Sequence, residues 1–512
     1  MESLPPSIDS FLPTGYLGWL LLLVGIWVCF HVGLAFYNIF LHPLRKYPGP
    51  VLCAATQLPH SYHLTAGDSC RWIARLHEKF GDVVRIGPRE LSYTTTSANR
   101  AIFNNRPTEA TVYEKNPVVW LQGSGVSLNI FFARHKEHMR YKKLIAPAFS
   151  EAAIREQEPT IQRFVTQLMD GLRVRSGENM YPDANGVVDL YAWFNFIVYD
   201  VLTKLAFGAA VGCLDRGDYH PWVRAVFGAI KHSHFEQAAH RLKPYHRLLE
   251  RLIPSDVNES YSTHLHFSHQ QLEELQKIVE DPSAKIGRAE FASFMLKGMS
   301  KEELEDNVNI IVAAGADTTV TALASVTYYI SHHPDSYKEL TAEIRNTFTQ
   351  ESDITAIAVG QLTYLKAVIK ESLRCHPSVP VGLHRVVPKQ GGIIDQKWVP
   401  GGTWVSVSPY AAYRSSRHWR DPERFIPERW LGEDAAFTDD DRDLCTPFSI
   451  GPRSCIGINL ANVNMRLIIA RLLWNFDLHA QPDNADPSEH QEFGVWAGRP
   501  LRIRLTPVNH AP

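Results

Sequence analysis

The stretch Phe448-Ser-Ile-Gly451-Pro-Arg453-Ser-Cys455-Ile-Gly457 sets one cysteine just before a helix predicted from about Ile458 to Trp474. There a sulfur meets backbone N–H groups that lack partners inside the helix, and the positive end of the helix dipole. Both favour thiolate, the form that binds a metal. Gly451 and Gly457 let backbone approach a flat cofactor closely. Phe448 can shield the sulfur, and Arg453 offers a cation to a carboxylate. A lone cysteine is more often an inert buried thiol, and Cys29, Cys53, Cys70, Cys213, Cys375 and Cys445 are read that way. Cys445 is close by but lacks the glycines and the arginine.

Outward from that stretch, the chain offers little to support other classes. It has 512 residues, is 45% hydrophobic and carries a net charge of -2, so it can bury a large core and shows no polyanion-binding bias. Nucleic acid is not an expected partner, because there is no basic run or zinc-finger spacing. The seven cysteines form no C-x-x-C pair, which argues against a zinc site or disulfide framework and suits a reducing compartment. Gly123-Ser-Gly125 lacks a third glycine and a preceding strand, so it is given no dinucleotide role.

Residues 10–44 hold no Asp, Glu, Lys or Arg, and Tyr16 to Tyr37 is almost wholly apolar. As a helix that segment is roughly 33 Å long, enough to cross a bilayer. A cleaved signal peptide fits less well, since Glu2 and Asp9 stand where a basic region is expected. Arg45 and Lys46 follow the span, which by the positive-inside tendency puts the later residues in the cytosol. His42-Pro43 through Pro48-Gly49-Pro50 reads as a stiff hinge.

Val83 to Ile86 and Leu91 to Thr94 read as β structure, as does Val399 to Val407 around Pro400-Gly401-Gly402. Between Arg134 and Cys375 most segments read as helical. Ser300-Lys-Glu-Glu303 is a capping box opening a long helix that can run to about His332. Inside it lies Ala314-Gly315-Ala316-Asp317-Thr318-Thr319, poor helix formers in mid-helix. Small residues there let the helix pass a flat cofactor, while a kink or a satisfied core threonine is the plainer alternative. A further helix is predicted over Leu362 to Arg374. It carries Glu371 and Arg374 at i and i+3, on one face, where they can pair.

Together these residues resemble the cytochrome P-450 family. Its haem-binding signature, F-x-x-G-x-R-x-C-x-G, is matched at every specified position by Phe448 to Gly457. Glu371-Ser-Leu-Arg374 is similar to the family's E-x-x-R, and Pro427-Glu-Arg429-Trp430 to its P-E-R-F/W element; Pro422-Glu-Arg424-Phe425 looks alike but sits too early. The resemblance runs from the proline hinge to the C-terminus. It implies a mainly α fold with small β-sheets, one catalytic domain around haem b, preceded by a single transmembrane helix. The expected division is 1–15 lumenal, 16–37 anchor, 38–50 hinge and 51–512 haem-binding domain.

By the same resemblance Cys455 is the axial iron ligand, and Glu371, Arg374 and Arg429 form a buried structural triad. Asp317 and Thr318 are an acid–alcohol pair that delivers protons to activated O2, with Gly315 close to the haem. His138 and Lys142 stand where the family often has Trp and Arg, and with Arg385 they are expected at the haem propionates. An NADPH-dependent flavoprotein reductase, with cytochrome b5 as a second donor, is implied as partner, at the endoplasmic reticulum membrane. The hinge and the Gly-Leu-x-Arg-Val-Val-Pro run look most like fungal secondary-metabolism members. Ile310 to Ala314, Val379 to Leu383 and Phe493 to Trp496 are expected over the haem, implying a lipophilic substrate. Two rivals are a haem-thiolate isomerase or dehydratase, which often lacks the acid–alcohol pair, and a non-catalytic haem-binding membrane protein.

Overall fold

The computed structural model describes residues 15–104, 111–119, 129–176, 186–280, 291–295 and 298–510. Most of the expected lumenal segment and Gly123-Ser-Gly125 lie outside the described residues. The apolar helix Tyr16–Phe36 buries none of its residues and continues as a π-helical turn, Tyr37–Leu41, into the segment expected to be hinge. The prolines then take over, with a short 3-10 turn at Pro43–Lys46. The apolar helix meets the body at Tyr245, whose hydroxyl is 2.7 Å from His31 Nε2 and also accepts from the Trp27 indole.

The body is organised on the helix Lys301–His332, here the central helix. Ser300 Oγ accepts the Glu303 N–H, and Glu303 returns a carboxylate to the Ser300 N–H at 3.0 Å, so the capping box forms as its sequence predicts. The central helix packs against Leu190–Phe207, Thr363–Cys375 and Ile458–Asn475. Those helices supply much of one continuous apolar core, and Leu190–Phe207 is buried on nearly every face.

Among the described residues four small sheets flank the helices. The largest is five-stranded, in the order Val83–Gly87, Glu90–Tyr93, Trp404–Val407, Arg385–Val386, Glu114–Lys115. Only the pairing of Glu90–Tyr93 with Trp404–Val407 is parallel. The β structure expected over Val399 to Val407 divides between two sheets. Lys397–Val399 pairs with Gly392–Ile394, and Trp404–Val407 joins the large sheet. The turn at Pro400-Gly401-Gly402 does this: the Gly402 N–H donates to Val387 O at 2.9 Å and steers the chain onto a second neighbour.

Behind the site lies a wholly buried ion network. Arg374 donates to both carboxylate oxygens of Glu371, at 2.9 and 2.8 Å, and Arg429 Nε donates to Glu371 Oε1 at 3.0 Å. The Trp430 indole and the Ile426 N–H complete the Glu371 shell, while Arg429 also pairs with Asp440. The side chain of Arg424 stays in solvent, and only its carbonyl joins, accepting from Arg374. Removing one member of such a buried pair costs about 3–5 kcal/mol, against less than about 0.5 kcal/mol for an exposed surface cation. Thermal melting of Glu371→Ala and Arg424→Ala should therefore separate sharply, with only the first lowering stability by several kcal/mol. Equal, small effects would refute the network's structural weight.

Candidate active site

Helix Ile458–Asn475 starts one residue after Gly457, so Cys455 lies where a thiolate gains from the helix start. The loop before it is tightly held. The Cys455 N–H donates to Phe448 O at 2.8 Å, and Phe448 packs against the main core. Ser449 takes φ 56° and Gly451 φ 76°. A Cβ on Gly451 would collide with the carbonyl of Phe103, so only glycine fits there. The Cys455 thiol is accessible although protein surrounds most of it. Burial pushes its pKa up, while the Gly457 N–H and the Lys142 ammonium pull it down.

The loop is tied to the central helix at two ends. On one side Arg453 Nη2 donates to Ala133 O at 2.9 Å, and the same segment's Ile130 N–H donates to Asn307 Oδ1 at 2.8 Å. On the other, Ser378 Oγ donates to Thr318 O at 2.8 Å. The extended run that follows turns Val379, Val381 and Leu383 into a cavity of about 50 Å³, shared with Phe103, Thr446 and Ser449 of the loop region.

The central helix is buried on most faces between these ties, but Ala314 is exposed and Ile310, Ala313 and Thr318 are half-buried. Gly315, next to it, is half-buried; its missing side chain would touch Leu202 at 3.2 Å, so it lets Leu190–Phe207 approach closely. Asp317 and Thr318 are adjacent in sequence, about 100° apart around the helix, and they look in different directions. Thr318 Oγ1 donates back to Ala314 O at 2.7 Å. Asp317 is buried, with Oδ1 accepting from the Tyr199 hydroxyl at 3.4 Å and Oδ2 unpartnered. Burial pushes its carboxyl up to about 7, against the downward pull of the Tyr199 hydrogen bond.

At the other edge four basic groups crowd together. His138, Arg385 and Lys115 are buried, and Arg453 is nearly so. Burial first, then neighbouring cations, lowers His138 to about 3, Arg385 to about 9 and Lys115 well below its ordinary value, while burial alone lowers Arg453 against the upward pull of Glu114. Glu114 is the one carboxylate shown against them, 3.5 Å from Arg453, and it is also engaged by the His135 N–H. Arg453 Nη1 and His138 Nδ1 are buried without a partner among the described residues. Such a cluster fits a cofactor that brings its own carboxylates, as haem does. Lys142 lies beside this cluster: its ammonium donates to Pro452 O at 2.7 Å, and its charge bears on both His138 and Cys455. Arg140 pairs with Glu303 and links the helix His135–Ile145 to the start of the central helix. Trp496, expected over the haem, is buried: its indole donates to Pro377 O at 2.8 Å and its ring stacks on His376.

Lys115, Tyr199 and Asp440 carry no local spacing signal in the sequence. Lys115 and Tyr199 meet Arg385 and Asp317 from far along the chain, and Asp440 reaches Arg429 across an irregular loop.

A thiol at a helix start, a central helix with an open small-residue face and a cluster of buried basic groups are the parts that a haem-thiolate site would need. The family model described as cytochrome P-450 matches residues 45–505. The chain is 57% identical to the cytochrome P-450 monooxygenase lnbC of Aspergillus flavus, covering 95% of this chain and 96% of that protein. It is 46% identical to FrzC of Cladobotryum sp, another cytochrome P-450 monooxygenase, over 96% of this chain and 98% of that one. Averantin hydroxylase of Dothistroma septosporum is 35% identical over 92% of this chain and 88% of its own. This chain belongs to the cytochrome P-450 family. It is a haem-b enzyme of the monooxygenase class.

If Lys115 holds a haem carboxylate, its charge-assisted bond is worth about 1.5–3 kcal/mol. Lys115→Met should then speed haem transfer to an apo-acceptor about 10- to 100-fold, with Lys143→Met, an exposed neighbour, as control. Equal transfer rates in both variants would exclude the role.

Proposed function

We propose that this monooxygenase oxidises a lipophilic small molecule in a fungal secondary-metabolite route. The apolar open faces carry this reading: Ile310, Ala313 and Ala314 on the central helix, with Val379, Val381 and Leu383 beside the cysteine loop. Such a lining favours apolar ligands by roughly 25 cal/mol per Å² buried, and a charged ligand would be left unpaired. Supporting it, the relatives include one named for hydroxylating averantin. Product analysis after feeding candidate metabolites to a reductase-containing host is the direct test. Spectral titration adds a second: spin shifts produced only by charged, hydrophilic ligands would overturn the substrate class.

Bound haem supplies O2 activation, with a thiolate ligand that favours O–O cleavage. Cys455 is the proposed ligand; the Gly457 N–H and Lys142 favour its charged form. Arg453, Arg385, His138 and Lys115 would hold the haem carboxylates, and Phe448 would shield the sulfur. Thr318, on the open face, would pass protons inward. Asp317 would supply them, since a carboxyl with a pKa of about 7 both takes and releases a proton near neutrality. An isomerase or dehydratase would not need this pair. No flavin-binding motif was read in the sequence, so an NADPH-dependent flavoprotein reductase, with cytochrome b5 as a second donor, is the proposed electron source.

The pair gives a signed pH prediction. Below about pH 7 Asp317 holds its proton, and above it the proton is lost. Product formed per NADPH should therefore fall as pH rises through 7, with peroxide rising. Asp317→Asn should flatten that profile at a low level, and Thr318→Ala should lower the product yield at every pH. A wild-type profile retained in folded, haem-replete Asp317→Asn would remove the carboxyl from the path.

Tyr16–Leu41, with nothing buried from Tyr16 to Phe36, is the proposed single-pass anchor, holding the catalytic domain at the cytosolic face of the endoplasmic reticulum. Asn38 Nδ2 donates to Ala55 O, so a cut before Asn38 spares the body. Deleting residues 1–36 should release the protein from carbonate-washed membranes with its haem spectrum intact. Full-length protein that washes off equally well would refute the anchor.

A further inference from the structure

Helix Pro221–Arg241 carries His232, Glu236 and His240 at four-residue intervals, on one face. After the turn at Leu242 to Tyr245, His246 and Glu250 repeat the interval on the next short helical segments. The fold brings the second pair back onto the first. His240 Nε2 lies 2.8 Å from Glu250 Oε1, and the rings of His240 and His246 meet edge to face at 4.9 Å. One ligand atom from each of His240, His246 and Glu250 falls within 4.8 Å of the other two.

An ordinary hydrogen bond accounts for His240 and Glu250 but leaves His246 unexplained. Its Nδ1 is buried with no partner among the described residues, although the residue stands in an otherwise open turn. Nearby charges do not answer it. Arg241 is turned away, paired with buried Glu90 at 2.6 Å. His232 is stacked on Tyr261 and leans on Glu236. Two imidazoles and a carboxylate form the three-ligand set that zinc takes with a water, at bonds of about 2.0–2.2 Å. Neighbouring ligand atoms of such a tetrahedron lie about 3.3–3.5 Å apart, so closing the set moves the half-exposed His246 by little more than an ångström. Imidazole ligands favour zinc-like ions over magnesium or calcium.

We propose that His240, His246 and Glu250 form a divalent transition-metal site of the zinc type, which staples the turn joining Pro221–Arg241 to Ser255–Glu280. Glu236 lies close enough to His240 and Glu250 to interact with both electrostatically, and it provides a fourth ligand or a second carboxylate around the water. Tyr245 sits inside the stapled turn and is the residue that Trp27 and His31 of the apolar helix touch.

The test uses full-length holoenzyme in detergent, titrated calorimetrically with ZnCl2 near neutral pH. One zinc should bind per chain, raising the melting temperature, and binding should vanish at acid pH as the imidazoles protonate. His246→Ala should weaken binding at least about 10-fold, and His240→Ala/Glu250→Gln should abolish it. Exposed His479→Ala should change nothing. The haem spectrum of each variant reports folding, and Glu250→Gln alone, which keeps shape and removes charge, serves if the double variant does not fold. No stoichiometric zinc in the wild type, or zinc binding undiminished in these variants, overturns the site.

Discussion

Burying Glu371 between two guanidiniums is the constraint on which the rest of the site hangs. Three charges with no access to water carry a desolvation cost that only near-complete pairing offsets. The network meets it through Trp430, the Ile426 N–H and Asp440 as well as the ion pairs themselves. It also reaches the site by a short relay. Arg374 Nη1 donates to Tyr413 O at 2.7 Å, and the Tyr413 hydroxyl accepts the Thr446 N–H at 2.9 Å. Thr446 O then accepts the Ser449 N–H at the root of the cysteine loop. A loop with two left-handed residues has little regular hydrogen bonding of its own. Its shape is borrowed from this network behind it and from the Phe103 backbone in front.

The cationic edge works by the opposite logic. The Glu371 network is nearly satisfied within the protein, whereas His138, Lys115, Arg385 and Arg453 destabilise one another's charge and share one described carboxylate. A protein keeps such a cluster when a bound group completes it. Binding two carboxylates there would lower the cost of four buried basic groups at once, so cofactor affinity and stability of this edge are coupled.

Local signals made much of this legible in sequence. The capping box fixed the start of the central helix to the residue, and the cysteine's place before Ile458 followed from the same kind of local pattern. Glu371 and Arg374 pair because a helix puts i and i+3 together. What stayed hidden needed distance. Lys115 reaches its cluster only through the pairing of Glu114–Lys115 with Arg385–Val386, and Asp440 finds Arg429 across a loop. The neighbours of Gly315 and Trp496 stayed hidden for another reason. Composition says that a small or aromatic residue packs closely, but not which neighbour it packs against. Gly315 faces Leu202, and the Trp496 indole donates to Pro377 O. Lys142 followed its own reach, under the loop to the Pro452 carbonyl.

The central helix also separates two jobs that the sequence writes side by side. Thr318 is on the open face, its hydroxyl parked on Ala314 O, and Asp317 is in a dry pocket with Tyr199 and Tyr191. A carboxyl raised to about 7 in that pocket is stored in neutral form at low cost, which a water-facing carboxyl could not be. Its tie to Tyr199, at 3.4 Å, is a weak one to break. In the proposed path a χ rotation therefore releases the acid toward the open face more easily than backbone movement would. That division matches the buried face toward Leu190–Phe207 and the small, open face of Ala313 and Ala314 opposite it.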